Sequence, residues 1–192
     1  MISGIRVLDT ILSSDKNGDS VTRNSADFWR PFCSASGWKF NFERLHSLAD
    51  VKYFFSIPIK ENVIIFSGHG DETDGFYLSN GDKIDGNNNF KINQRNHGKI
   101  IIFSSCLIGK REELANGIKR FFGAKHLFAY QHIMEDRFCF LNESILLTMI
   151  DRKFENGQQK FTDNNFFDFT LETDFMKNMN KKGVKNHPLV MF

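Results

Sequence analysis

Two runs constrain this chain more than anything else in it: Asn62-Val63-Ile64-Ile65-Phe66 and Lys99-Ile100-Ile101-Ile102-Phe103. Both are continuously apolar and β-branched where a half-exposed strand would alternate, which is the pattern of central parallel strands covered on both faces. Three weaker runs read as further strands: Ile5 to Ile11, Trp38 to Phe42 and His126 to Tyr130. Helix-like segments separate them. Ser25-Ala26-Asp27 opens one that stops at Gly37, and Ser47-Leu48-Ala49-Asp50 opens another that ends before Pro58. Glu112 to Phe122 carries Leu114, Ile118, Phe121 and Phe122 on one face, with Gly123 as its stop. A long fourth helix runs from about Asp136 to Phe154 and closes at Gly157. Strands alternating with helices predict an α/β fold, a mostly parallel sheet with helices on both faces. With 192 residues the chain fits one domain, 1–192.

Between the two strong runs lies a polar stretch, Asp71 to Gly98, holding Gly75-Phe76-Tyr77-Leu78-Ser79-Asn80-Gly81-Asp82-Lys83-Ile84. Asn-Gly between two short apolar pieces is a strong hairpin signal, so a small hairpin is expected just after His69. The tail beyond Gly157 is rich in Phe and irregular.

Charge and cysteine usage narrow the function classes. Lys and Arg total 25 against 23 acids, so a net charge of +2 gives no electrostatic reason to expect nucleic acid or an anionic membrane. The longest basic cluster, Lys181-Lys182 with Lys185, reads as a solvated tail. No stretch approaches the roughly 18 apolar residues of a membrane span, and the start lacks the blocks of a signal peptide. A cytoplasmic protein is expected. Cysteines 33, 106 and 139 are odd in number and widely spaced, which speaks for reduced thiols and against a disulfide framework or a paired metal site. No Gly-rich phosphate loop follows Ile11, which disfavours a flavodoxin-like nucleotide domain. No metal and no cofactor is expected.

In open α/β sheets, ligands bind beyond the carboxyl ends of the strands. Here one run leads into Ser67-Gly68-His69-Gly70 and the other into Ser104-Ser105-Cys106. If the strands are parallel neighbours, His69 and Cys106 emerge side by side. An imidazole next to a thiol can take its proton and later protonate a leaving amine, the chemistry of acyl transfer. Glycines around His69 let backbone approach a substrate, and the amides of Gly70 and Cys106 are candidates for an oxyanion hole. On spacing alone the pair reads equally as a catalytic dyad or as two structural residues, since a lone strand-end cysteine is usually a small buried hydrophobe.

The segments Ile64 to Gly70, Gly75 to Gly81 and Ile101 to Cys106 resemble the core of the CHAT group of caspase-like peptidases, kin of caspases, separases, legumains and gingipains. The resemblance continues through Leu114-Ala115, Phe128-Ala129 and a closing Asn186-His187-Pro188 segment that lacks the family's usual Trp. It implies a caspase-like three-layer sandwich and a cysteine endopeptidase, with His69 as general acid/base and Cys106 as nucleophile. It also implies a protein or peptide substrate and a regulatory partner chain, as in prokaryotic defence or cell-death systems. One departure is Leu107-Ile108-Gly109 after the nucleophile, where many relatives carry an acidic residue and then Thr or Ser. The short path from Cys106 to the next helix leaves no room for a cleavable linker, so an unprocessed chain is expected. Residues two apart on a strand share a face, which assigns Ser104 to the first specificity pocket. Asp71 and Asp74 after the histidine, and Glu135-Asp136 after the fifth strand, are acids able to receive Arg or Lys; His132 is a further substrate contact. Cys33 and Cys139 read as packing residues. The rival reading is a catalytically silent caspase-like module that binds partners through the same cleft.

Overall fold

The computed structural model describes residues 1–13, 20–22, 25–155, 161–177 and 184–192. Gly157 and the Lys181-Lys182 pair, which the sequence assigns to a helix stop and a solvated tail, lie outside the described residues. In chain order the elements are β1 (Gly4–Asp9), β2 (Ile11–Ser13), β3 (Ser20–Thr22), α1 (Ser25–Ser36), β4 (Lys39–Arg44), α2 (Leu48–Ser56) and β5 (Val63–Ser67). Then come β6 (Gly70–Asp71), β7 (Gly75–Tyr77), β8 (Lys83–Ile84), β9 (Ile100–Ser104), α3 (Glu112–Phe122), β10 (His126–Tyr130), α4 (Asp136–Glu155), α5 (Asp163–Glu172) and β11 (Leu189–Met191).

Six strands form the central sheet in the order β11-β10-β9-β5-β1-β4. All neighbours are parallel except β10 and β11. The two runs that dominate the sequence are its middle, β5 and β9, and all five residues of each are buried. Successive side chains there point to opposite faces, so both faces need cover. Val63, Ile65, Ile100 and Ile102 pack with Trp29 and Cys33 of α1, Leu146, Leu147 and Ile150 of α4, and Phe169 of α5. Ile64, Phe66, Ile101 and Phe103 pack with Val51 and Phe55 of α2 and Ala115, Ile118 and Phe122 of α3. Each such side chain fully withdrawn from water contributes about 1.5–3 kcal/mol. The chain has 22 Phe against 3 Tyr and 2 Trp, and several of these Phe build this second layer, where Phe66 stacks on Phe103 with centroids 4.8 Å apart and Phe55 meets Phe122 at 4.7 Å.

Helix ends follow local chemistry. Ser47 and Asp50 make the capping box that starts α2, and Gly123 stops α3 at φ +59°, a left-handed conformation with little penalty for glycine. β4 is the outermost strand on its side; Lys39 and Asn41 are exposed and the residues between and after them half-buried. No helix among the described residues is long and apolar enough to cross a membrane.

Three expectations are corrected. The first strand does not run on to Ile11: the Thr10 amide donates to the Ser67 carbonyl at 3.0 Å and the Ile11 amide to Ser79 Oγ at 3.0 Å, turning the chain into the separate β2–β3 ribbon. The expected hairpin is a three-stranded ribbon, β6-β7-β8, with Asn80-Gly81 in its second turn and Gly81 at φ +89°. The tail is not irregular throughout. It holds α5, opened by a Thr162–Asn165 capping box, and β11, which closes one side of the sheet.

Candidate active site

The register of the sheet decides where the sequence-predicted pair stands. Ser67 of β5 lies opposite Ser104 of β9, and the Gly68 amide donates to the Ser104 carbonyl at 3.3 Å. Counting two residues past each serine reaches His69 and Cys106. Both line one small cavity of about 60 Å³, together with Gly68, Ser105, Met134, Asp136 and Cys139.

The two glycines beside His69 have separate steric reasons. A Cβ on Gly68 would lie 2.1 Å from Thr10 Oγ1 and 3.1 Å from the Phe76 ring; one on Gly70 would lie 2.5 Å from the Cys106 carbonyl oxygen. The His69 carbonyl accepts the Tyr77 amide at 3.0 Å, tying the residue to β7. His69 is thus clamped between the end of β1, the ribbon and the backbone of Cys106. No side chain larger than hydrogen fits on either side of it.

Cys106 is half-buried and unbridged. Its Sγ accepts the Met134 amide at 3.3 Å and lies 3.8 Å from the Met134 carbonyl. The sulfur is thereby held against the backbone of the link that leads into α4. The loop beyond it is shaped by Leu107, at φ +64° and ψ −9° the one non-glycine residue with positive φ among those described. Such a conformation costs roughly 1–2 kcal/mol for an L-residue. It lets the Ile108 amide reach back to the Cys106 carbonyl at 2.9 Å, the same oxygen that Gly70 packs against. Ile108 is buried and opens a 3₁₀ turn, Ile108–Lys110, where a Cβ on Gly109 would lie 2.7 Å from the Ala129 carbonyl oxygen of β10. The Leu107-Ile108-Gly109 departure therefore fixes the carbonyl of Cys106 by backbone geometry.

The other predicted residues divide. Asp136 lines the cavity at the start of α4. Ser104 does not: it is fully buried, and Ser105 lines the wall in its place. The two-residue alternation fails there because β9 ends at Ser104 and the chain bends through residues 105–107. Asp71 is engaged in its own turn, accepting the Thr73 hydroxyl and amide and the Asp74 amide, with the Thr73 hydroxyl foremost in holding its carboxyl below the usual range. Asp74 takes Lys83 at 2.8 Å and the Tyr77 hydroxyl, whose pKa is pushed up to about 12 by that carboxylate. Neither aspartate lines the cavity. His132 is half-buried in the link between β10 and α4, outside the lining, and Glu135 pairs with Arg137 at 2.7 Å. The helix start at the cavity is that of α4; α3, although it begins only six residues after Cys106, contributes no lining residue.

Met134, Ser105 and Cys139 are additions that the sequence reading does not make. Ser105 is 1% exposed and its hydroxyl has no hydrogen-bond partner among the described residues. Among the described residues no three His, Cys, Asp or Glu side chains gather as a metal site. Comparison with known proteins adds no relative: no protein-family model matches the chain, and no curated protein matches it.

Proposed function

We propose that this chain is a cysteine endopeptidase of the caspase-like type, in which Cys106 is the nucleophile and His69 the general acid/base. The observation that carries the reading is the aligned ends of β5 and β9, which bring both residues to the wall of one cavity at the carboxyl edge of a mostly parallel sheet. In the reaction His69 accepts the thiol proton, sulfur adds to the substrate carbonyl, and the developing oxyanion is met by the amides of Gly70 and Cys106. His69 returns the proton to the leaving amine. Water, deprotonated by His69, then hydrolyses the thioester. Asp136 is the predicted acid that shares the wall with the dyad, and it favours a basic side chain in the substrate; Asp71 and Asp74 are held by their own turn and by Lys83.

A cavity of about 60 Å³ is far below the roughly 300 Å³ at which ligand pockets begin. Residues 131–136, which cover the thiol through Met134, must withdraw before a peptide enters, and this supports control by a partner chain. The test is labelling with a thiol-directed acyl probe. Wild-type protein, with an activating partner where needed, acquires the acyl group on Cys106; Cys106→Ala does not, and His69→Ala is slowed by about 10²–10⁴-fold. Equal labelling of wild type and His69→Ala would refute the dyad.

A further inference from the structure

The wall of the dyad's cavity contains a second thiol. Cys139 stands one turn into α4, is 1% exposed, and lines the same cavity of about 60 Å³ as Cys106. The two are linked through a short path: Cys106 Sγ is held by the backbone of Met134, and the α4 turn that follows Met134 brings Cys139 in, its amide donating to the Glu135 carbonyl at 3.2 Å. The third cysteine is separate. Cys33 lies on α1, does not line the cavity, and burial pushes its thiol up to about 11.

We infer that Cys106 and Cys139 form a reversible disulfide in response to hydrogen peroxide, with Cys106 as the oxidised thiol and Cys139 as the one that resolves it. The inference rests on the reading of Cys106 as a reactive nucleophile. Cys106 is the half-exposed member of the pair, so peroxide meets it first, and the cavity has room for a molecule of that size. In the first step the Cys106 thiolate attacks one peroxide oxygen. An S–O bond forms, the O–O bond breaks, sulfur loses two electrons, and hydroxide leaves and is protonated to water. In the second step the Cys139 thiol loses its proton and its sulfur attacks Cys106. The S–S bond forms, the S–O bond breaks, and a second water leaves, so that two thiols and one peroxide give one disulfide and two waters. A disulfide asks for Cα atoms about 4.4–6.8 Å apart, and the bridge would hold the two wall residues within that range. The bridge consumes the nucleophile, replaces the Met134 contact and pins α4 over the site. A protease built this way is silenced by peroxide and restored by a dithiol, without passing to irreversible sulfinic acid.

The experiment uses the full chain. Protein is treated with a few equivalents of hydrogen peroxide, blocked with iodoacetamide without reduction, and digested with trypsin, which releases Cys106 in the peptide 100–110 and Cys139 in 138–152. The expected result is a linked pair of these two peptides, lighter than their sum by two hydrogens and separated by dithiothreitol, with Cys33 still alkylated. Cys139→Ser and Cys139→Ala, each checked for native circular dichroism, lose the linked pair and carry Cys106 on to sulfinic acid at the same dose. Absence of the linked pair in wild type while Cys106 oxidises to sulfinic acid would overturn the proposal, whatever the variants do, as would a bridge from Cys106 to Cys33. Labelling a separate, unoxidised portion of the same protein with the acyl probe keeps the two readings apart. Labelling without a bridge overturns this inference and leaves the peptidase standing, and a bridge without labelling does the reverse.

Discussion

The same strands end differently at the two edges of the sheet. At the amino edge, Arg6 reaches Glu61 at 3.0 Å and Glu43 at 3.3 Å, Asn41 donates to the other Glu61 oxygen, and the Lys99 ammonium is held by the carbonyls of Ile59 and Glu61 at 2.8 and 2.7 Å. Each of these charges has a partner from a neighbouring strand or link. Desolvation raises the Glu61 carboxyl, but bonds from the backbone, Arg6 and Asn41 outweigh it and leave the carboxyl below its usual range. At the carboxyl edge the polar groups face a cavity: the Ser105 hydroxyl meets no described partner, and Cys106 sulfur has one backbone amide. A closed polar network adds stability and leaves nothing for a ligand, whereas an edge that leaves groups unsatisfied gives up stability to keep them available. The comparison teaches that one edge ties neighbouring strands together and the other leaves polar groups facing a cavity.

That division can be broken from either side. Cys106→Ala is expected to abolish acyl-probe labelling and to lower peptidase turnover by about 10⁴-fold or more, with a urea midpoint close to wild type; a large loss of stability would mean the carboxyl edge is structural as well. Gly70→Ala pushes a methyl against the Cys106 carbonyl and should slow labelling by about 10²-fold, since misplacement on the scale of an ångström suffices for that. At the opposite edge, Glu61→Gln should reduce unfolding free energy by about 2–3 kcal/mol, just under the roughly 3–5 kcal/mol of fully buried broken pairs because Arg6 retains some access to water. Its labelling rate should stay as in wild type. Slower labelling there would show that the two edges are coupled.

The smallest effect is in pH. Burial lowers the proton affinity of His187, which sits between Thr173 Oγ1 and the Leu189 backbone, and of His126. A histidine with its folded pKa below the unfolded value near 6.5 binds more protons when unfolded, so stability is fully present above about pH 7 and falls as pH drops through 6.5 toward the folded pKa. Thermal melts should therefore shift downward between about pH 7 and pH 5, and His187→Gln should flatten part of that slope. Carboxylates such as Glu61, with lowered pKa, act in a more acidic window, their contribution being lost as pH falls below about 4.5.

How much of this was legible follows from how local each signal is. β5 and β9 could be read because burial on both faces removes alternation, and His69 and Cys106 followed because the strands end in register. The break at Thr10 could not, since it depends on hydrogen bonds to Ser67 and Ser79, 57 and 68 residues away. α5 had a readable start in Thr162-Asp163-Asn164-Asn165, and the Phe-rich segment obscured it. Ser104 was assigned by extending strand geometry past the strand's end. Met134 and Cys139 join the site because α4 crosses the sheet beside β9, a packing event with no trace in the residues around Cys106.

The outermost strand, β4, has a bearing on how the protein behaves at high concentration. A free sheet edge offers unpaired amides and carbonyls to any other strand, including one from a second molecule. β4 carries Lys39, Glu43 and Arg44 along that edge, while the guanidiniums of Arg30 and Arg44 lie over Phe40 and Phe42 at 5.2 and 5.8 Å. Charge repels an incoming copy and the aromatic faces are already occupied. The open side of the sheet is thus guarded against templating fibres or strand-paired aggregates, while the other side is closed by β11.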